Sequence, residues 1–296
     1  MKDKIVMLSA LFVSAAVLAG TALYHEKPSS QTVKAAEVKQ YNYPQQADIA
    51  EKADTVSDSE VTKDTVYYKM LNTVDYYDRV SGTVVDANGN INQPITVEFE
   101  CDLSKVSAHS KVTMTDIRNN SLIMSDETYI SGMEQTKIDN LEKSFSKDGY
   151  VIDESEYVIP SDDERVTSIG DEYCYSYRPN STNVPEAGSC LLPQEIVFSL
   201  LTDRDAWSLN GTENYLGREC WLINGQTNDY YAAKLKAERF MFLVDTKTGV
   251  LLKYEGYDSG GNIVDYVYAK EISFDDSADS VKTLPAERLS GLTQKY

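Results

Sequence analysis

The sequence predicts an α+β domain dominated by antiparallel strands. Arg239 to Asp245, Val250 to Tyr257 and Ile263 to Phe274 read as strands, and the turn sequences Asp245-Thr246-Lys247-Thr248-Gly249 and Asp258-Ser259-Gly260-Gly261-Asn262 join them into a meander. Ile95, Val97, Phe99 and Cys101 alternate with Thr96, Glu98, Glu100 and Asp102, the period of a half-buried strand. Val61, Val66, Met70, Leu71 and Val74 recur at three- and four-residue intervals, the period of one helix face.

From the N-terminus, Ile5 to Tyr24 is apolar or small throughout and follows Lys2 and Lys4. It is long enough to cross a membrane and is flanked as an export segment is. The positive flank places Met1 in the cytoplasm and the rest of the chain outside. Gly20-Thr21-Ala22 and Val33-Lys34-Ala35 both suit a signal peptidase, so residues 1–24 are read as a signal peptide or a retained anchor. Leu18-Ala19-Gly20-Thr21 has no cysteine where a lipoprotein signal requires one, so any attachment comes from the segment itself. Residues 25–58 are polar and read as a linker. Residues 59–275 have apolar content for one core, and residues 276–296 form a polar tail that wraps or frays.

Within the domain, the helical pattern runs from Val61 to Asp78 and a strand from Val80 to Val85 pairs with Ile95 to Cys101 across Asp86-Ala87-Asn88-Gly89-Asn90. Ser110 to Thr115 and Ser121 to Ser125 read as further strands around a turn at Asp116 to Asn120. Ile138 to Phe145 reads as a second helix, and Tyr150 to Ile159 as a strand. Ser161 to Ser189 shows no clear period, and a helix follows Pro193 with Ile196, Val197, Leu200 and Leu201 on one side. Gly217 to Asn224 is another strand. In Arg239 to Asp245, both Phe240, Phe242, Val244 and the intervening Met241, Leu243 are apolar, so that strand is covered on both faces or lines a greasy cavity.

The formal net charge of −19 argues against nucleic-acid and anionic-headgroup partners, because both recruit Lys and Arg. Cys101, Cys174, Cys190 and Cys220 form no C-x-x-C pair, which removes the zinc and thioredoxin-like readings. A Cys174–Cys190 disulfide would close a loop of about 15 residues, worth on the order of 3 kcal/mol. The two histidines, His25 near the apolar segment and His109 in an expected loop, offer little for acid–base catalysis. Ser144-x-x-Lys147, Ser208-x-Asn210 and Lys247-Thr248-Gly249 follow the order used by penicillin-binding proteins. Asp148-Gly149 ends the expected helix right after Lys147, however, and the Lys-Thr-Gly element is a hairpin turn. Asp86-x-Asn88-x-Asn90 starts like a calcium loop but has Ile91 at the glycine position and Val97 at the twelfth. No catalytic residue, metal ligand or cofactor is expected, and the chain is read as a non-enzyme.

At the C-terminal meander the sequence resembles a family. Tyr230-Tyr231-Ala232-Ala233-Lys234 and the run Arg239 to Lys253, with Asp245-Thr246-Lys247-Thr248-Gly249 at its turn, resemble the strand, turn and strand of the LolA, LppX and RseB superfamily of exported lipid-binding and envelope-stress proteins. Leu216 to Ile223 and the helix and hairpin from Val61 to Cys101 are similar to that family's other recurring pieces, whereas Asp102 to Leu192 carries none of the resemblance. The resemblance implies an incomplete antiparallel β-barrel, a strongly curved sheet wrapping helices, that holds an apolar ligand such as a lipid or lipopeptide. It also implies an alternative, an RseB-like module that binds another envelope protein. The expected cavity wall is Val97, Phe99, Trp221, Phe240, Phe242, Leu252 and Tyr254. No position here matches the arginine that locks the lid of LolA-type carriers.

Overall fold

The computed structural model describes residues 61–87, 90–149, 159–169, 172–179 and 182–295. The expected membrane segment Ile5 to Tyr24, the linker, most of the expected strand Tyr150 to Ile159, and Asn88 and Gly89 of the calcium-like turn lie outside the described residues. Among the described residues no helix is long and apolar enough to cross a membrane.

The first helix, α1 (Lys63–Leu71), starts where Thr62 Oγ1 accepts the Thr65 N–H at 3.1 Å. It buries Val66, Tyr67, Met70 and Leu71. The expected helix ran to Asp78; the chain instead leaves α1 at Asn72 and makes a single 3-10 turn over Thr73–Asp75. Tertiary bonds redirect it: Thr73 Oγ1 donates to the Leu191 carbonyl at 2.5 Å, and Asn72 Oδ1 accepts from Arg165.

Strands β1 (Arg79–Asp86), β2 (Ile95–Asp102), β3 (Ser107–Asp116), β4 (Ser121–Ser131), β5 (Glu134–Asp139) and β6 (Ser144–Gly149) form an antiparallel meander. The helix expected over Ile138 to Phe145 is therefore a hairpin. Asp139 Oδ1 accepts the Leu141 and Glu142 N–H groups at 3.0 and 2.8 Å, which reverses the chain within four residues. Ile138 and Phe145 face each other across the two strands, so spacing that mimics a helix face is a cross-strand pair.

A two-stranded ribbon of β7 (Val166–Ile169) and β8 (Glu172–Tyr175) follows, then the short helices α2 (Gly188–Leu191) and α3 (Gln194–Leu201). The second meander comprises β9 (Trp207–Tyr215), β10 (Arg218–Gln226), β11 (Arg239–Asp245), β12 (Leu251–Tyr257) and β13 (Ile263–Phe274), with helix α4 (Asp229–Leu235) between β10 and β11. Antiparallel pairing of β1 with β13 joins both meanders, and β14 (Thr293–Gln294) adds in parallel to β6. The resulting order is β14-β6-β5-β4-β3-β2-β1-β13-β12-β11-β10-β9. Twelve strands thus make one large curved antiparallel sheet whose two ends do not pair, the open sheet expected of an incomplete barrel and not a closed ring around the helices.

Short helices instead lie on one face. Ser189 Oγ of α2 donates to Asp86 Oδ2 at 2.7 Å, and Cys101 Sγ lies 2.8 Å from the Thr182 carbonyl, both from that inner face. The outer face carries the tail, which wraps. Asp279 N donates to Ser81 Oγ at 2.9 Å, Lys282 Nζ to Glu100 Oε1 at 2.5 Å and Arg288 Nε to Glu127 Oε2 at 3.0 Å, before β14 covers the β6 edge.

Candidate functional site

All seven residues expected to line a cavity lie on the inner face. Phe242 stands opposite Ile223 and Tyr254, Tyr254 opposite Val267, and Val267 opposite Asp86, two residues along β1 from the Val84–Val97 pair. Val97 and Phe99 come from β2, Trp221 from β10, Phe240 and Phe242 from β11, and Leu252 and Tyr254 from β12. Their exposures run from 0 to 8%. Little of any of the seven is accessible to a water molecule. The Phe240 and Phe242 rings are 4.9 Å apart, and Phe242 meets Tyr254 edge-on at 5.4 Å. Gly225 on β10 makes room for this stack, since a Cβ there would fall 2.2 Å from the Phe240 ring. Tyr254 Oη donates to buried Asp265 at 2.8 Å; burial and that carboxylate push the phenol well above its ordinary range.

Where α1 meets α3 the packing turns polar. Arg165 is fully buried and donates from Nη1 to Asn72 Oδ1 at 2.8 Å and from Nη2 to the Leu71 carbonyl at 3.3 Å and Gln194 Oε1 at 2.5 Å. Its Nε has no hydrogen-bond partner among the described residues. Gln194 also accepts the Arg178 N–H at 2.7 Å, and Arg178 forks onto Asp75 with two bonds of 2.6 Å. Burial, then the nearby Arg178 charge, push the Arg165 guanidinium below its ordinary value. This knot ties α1, the β7–β8 ribbon and α3 together. An open cleft of about 380 Å³ lies beside it, lined by Thr65, Tyr68, Lys69, Asn72, Tyr76 and Asp162 among others.

On the outer face, His109 is not in a loop but on β3, buried, with Nδ1 2.9 Å from Glu100 Oε2 and Tyr129 packed on its ring at 4.7 Å. Burial raises the Glu100 pKa, but the hydrogen bonds from His109 and Lys282 outweigh it and hold the carboxyl below its ordinary range. The arrangement satisfies a buried carboxylate under the tail. The penicillin-binding-like triplets are scattered: Ser144 and Lys147 on β6, Ser208 and Asn210 on β9, and Thr248 in the β11–β12 turn. Thr248 caps that turn, because Asp245 Oδ2 accepts its N–H at 2.8 Å and its hydroxyl at 2.6 Å. No group of three His, Cys, Asp or Glu able to hold a metal occurs among the described residues.

The Cys174–Cys190 bridge is not formed, and all four thiols are free. Cys174 is exposed on β8, whereas Cys190 is buried in α2 against the sheet. Burial, aided by neighbouring carboxylates, pushes the Cys101 and Cys220 thiols up to about 12 and Cys190 higher still. Iodoacetamide should therefore label one thiol, Cys174, in the folded protein and all four after denaturation, with the same masses with and without reductant. A native protein that needs reductant before Cys174 reacts would show the bridge after all.

Sequence reasoning missed the surface that Ser161 to Ser189 builds. Tyr173, Tyr175 and Tyr177 recur with period two along β8 and its extension. Tyr175 stacks on Phe198 of α3 at 4.8 Å, Tyr177 meets the same ring edge-on at 5.0 Å, and Tyr173 lies 6.4 Å from Tyr175. The alternation of tyrosines was the available signal.

The fold is thus an open antiparallel sheet with short helices on one face and a wrapped tail on the other. No family model and no curated protein matches the chain. Among solved structures the fold is similar to MucB in a Pseudomonas aeruginosa MucA/MucB complex, with TM-score 0.36 and 10% identity over 78% of this chain and 61% of that one. It is also similar to the Mycobacterium tuberculosis lipoprotein LppX, with TM-score 0.36 and 8% identity over 76% and 99%, and to LprF from Mycobacterium bovis, with 0.35 and 8% over 73% and 97%. The chain spans less than two thirds of the length of that MucB.

Proposed function

We propose that this chain is a non-enzymatic binding module of the cell envelope, working outside the cytoplasmic membrane and either tethered by or released from residues 1–24, and that its partner is another envelope protein. The carrying observation is the packed inner face. Val97, Phe99, Phe240, Phe242, Leu252 and Tyr254 form a core with the helices above them, which leaves recognition to the surface. The acidic balance of the chain excludes nucleic acid from this role.

A second reading keeps the apolar ligand, a lipid or lipopeptide seated between sheet and helices. It is favoured by the apolar groups that α1 and α3 bury, Val66, Met70, Leu71, Val197 and Leu201, which an acyl chain could replace. Two measurements on one preparation separate the readings. Photo-crosslinking of the full chain in its own membrane should capture one defined protein, while native mass spectrometry of gently purified protein should show the bare mass. Buried Trp207 and Trp221 report on the inner face, so a lipid-dependent change in their emission together with a co-purifying lipid mass would overturn the first reading for the second.

A further inference from the structure

The tyrosines above α3 continue onto α4. Tyr231 lies within electrostatic reach of both Tyr175 and Tyr177, and Tyr230 packs edge-on against it at 5.0 Å. Tyr173, Tyr177 and Tyr230 are 60, 47 and 69% exposed, although rings of this size are ordinarily turned inward. Rigid tyrosines that expose both ring face and hydroxyl are the material of recognition surfaces, since they bring contact area at small entropic cost.

Charge decides what such a surface accepts. Glu195 lies beside Tyr177, and Asp229 precedes Tyr230. Neither carboxylate makes a salt bridge with a described residue. The nearby arginines are engaged elsewhere: Arg178 turns inward to Asp75, and Arg204 pairs with Asp64 at 2.8 Å while lying 3.6 Å over the Tyr67 ring. Ring faces attract cations, and the chain's −19 charge adds a long-range pull of the same sign. Among the described residues, β8 pairs only with β7.

We propose that the platform of Tyr173, Tyr175, Tyr177, Tyr230 and Tyr231, flanked by Glu195 and Asp229, docks an extended basic segment of the partner protein, whose arginine and lysine side chains lie over the rings. This rests on the partner-binding reading and names the chemistry of the partner. An acyl chain fits less well here, because the hydroxyls and carboxylates interrupt the apolar area.

The test uses the full chain and three labelled peptides, alternating Arg-Ser, Lys-Ser and Glu-Ser octamers, titrated by fluorescence anisotropy in about 0.15 M salt, where distant charges are screened. The Arg-Ser peptide should bind, the Lys-Ser peptide more weakly and the Glu-Ser peptide not at all. The triple variant Tyr173→Ser, Tyr177→Ser, Tyr230→Ser keeps the net charge and replaces only exposed rings, and should lose about tenfold or more of the Arg-Ser affinity. Glu195→Gln should lose a smaller factor, with unchanged melting. Equal affinity of wild type and triple variant would place the attraction in the diffuse acidity and overturn the platform, as would no binding of either basic peptide. If envelope crosslinking persists in the triple variant, the partner-binding reading survives and this inference fails. Loss of crosslinking in the wild type as well would remove both.

Discussion

Phe242→Ala should lower the unfolding free energy by about 3–5 kcal/mol, the range for deleting a buried aromatic ring from a packed core. Phe242 is fully buried at the centre of the inner face, between Phe240 and Tyr254, with Ile223 opposite on β10. Removing its ring leaves a hole that strand pairing on both sides prevents from collapsing. Urea titration followed by circular dichroism measures the effect, with exposed Ile117→Ala as a control that should stay within about 0.5 kcal/mol. The measurement also bears on function. A ring bordering an open cavity has already forgone half its contacts, so a loss of only about 1 kcal/mol would favour a ligand space behind β11.

Arg218→Ala should cost about 3–5 kcal/mol near neutral pH, because it strands a buried carboxylate. Asp245 is 1% exposed and accepts from Arg218 Nε and Nη2 at 2.8 and 2.9 Å and from both Thr248 groups. Burial raises its pKa, but Arg218 and Thr248 outweigh burial and hold it below the ordinary range. A carboxyl whose folded pKa lies below its unfolded value of about 3.9 contributes stability above that value and loses it as pH falls through the folded pKa. In the wild type this loss belongs to the strongly acidic region. Without Arg218 the charge repaying burial is gone, so the acid limb of the melting profile should move to higher pH. Melting temperatures from about pH 3 to 7 test it, and a variant that follows the wild-type profile at every pH would show that the pair carries no net stability.

Legibility in the sequence followed contact range. The C-terminal strands β11 to β13 lie where alternation and turn residues put them, because each hairpin partner is a few residues away and Asp245-Thr246-Lys247-Thr248-Gly249 closes its own turn with local bonds. The β5–β6 hairpin was read as a helix, since Ile138 and Phe145 satisfy either period and the decisive agent, Asp139 Oδ1 on two N–H groups, is a polar local bond that periodicity does not register. Strand pairing puts the seven inner-face residues on one face. Whether that face borders space depends on how closely the helices approach, which no strand pattern encodes. Arg165 went unseen for a related reason. Its partners Leu71, Asn72 and Gln194 are remote in sequence, and an arginine in an unpatterned stretch reads as surface.

By itself the sequence determined an acidic chain rich in antiparallel strands and the short turns that join the last of them, because hydropathy, charge and turn chemistry act over a few residues. Only the tertiary structure decided that the sheet stays open, that the tail wraps its outer face, and that Tyr175 and Tyr177 of the β8 ribbon pack on Phe198 of α3. Those outcomes rest on contacts between segments tens to more than a hundred residues apart, such as Lys282 with Glu100 and Arg178 with Asp75, whose partners are chosen by packing of the whole domain.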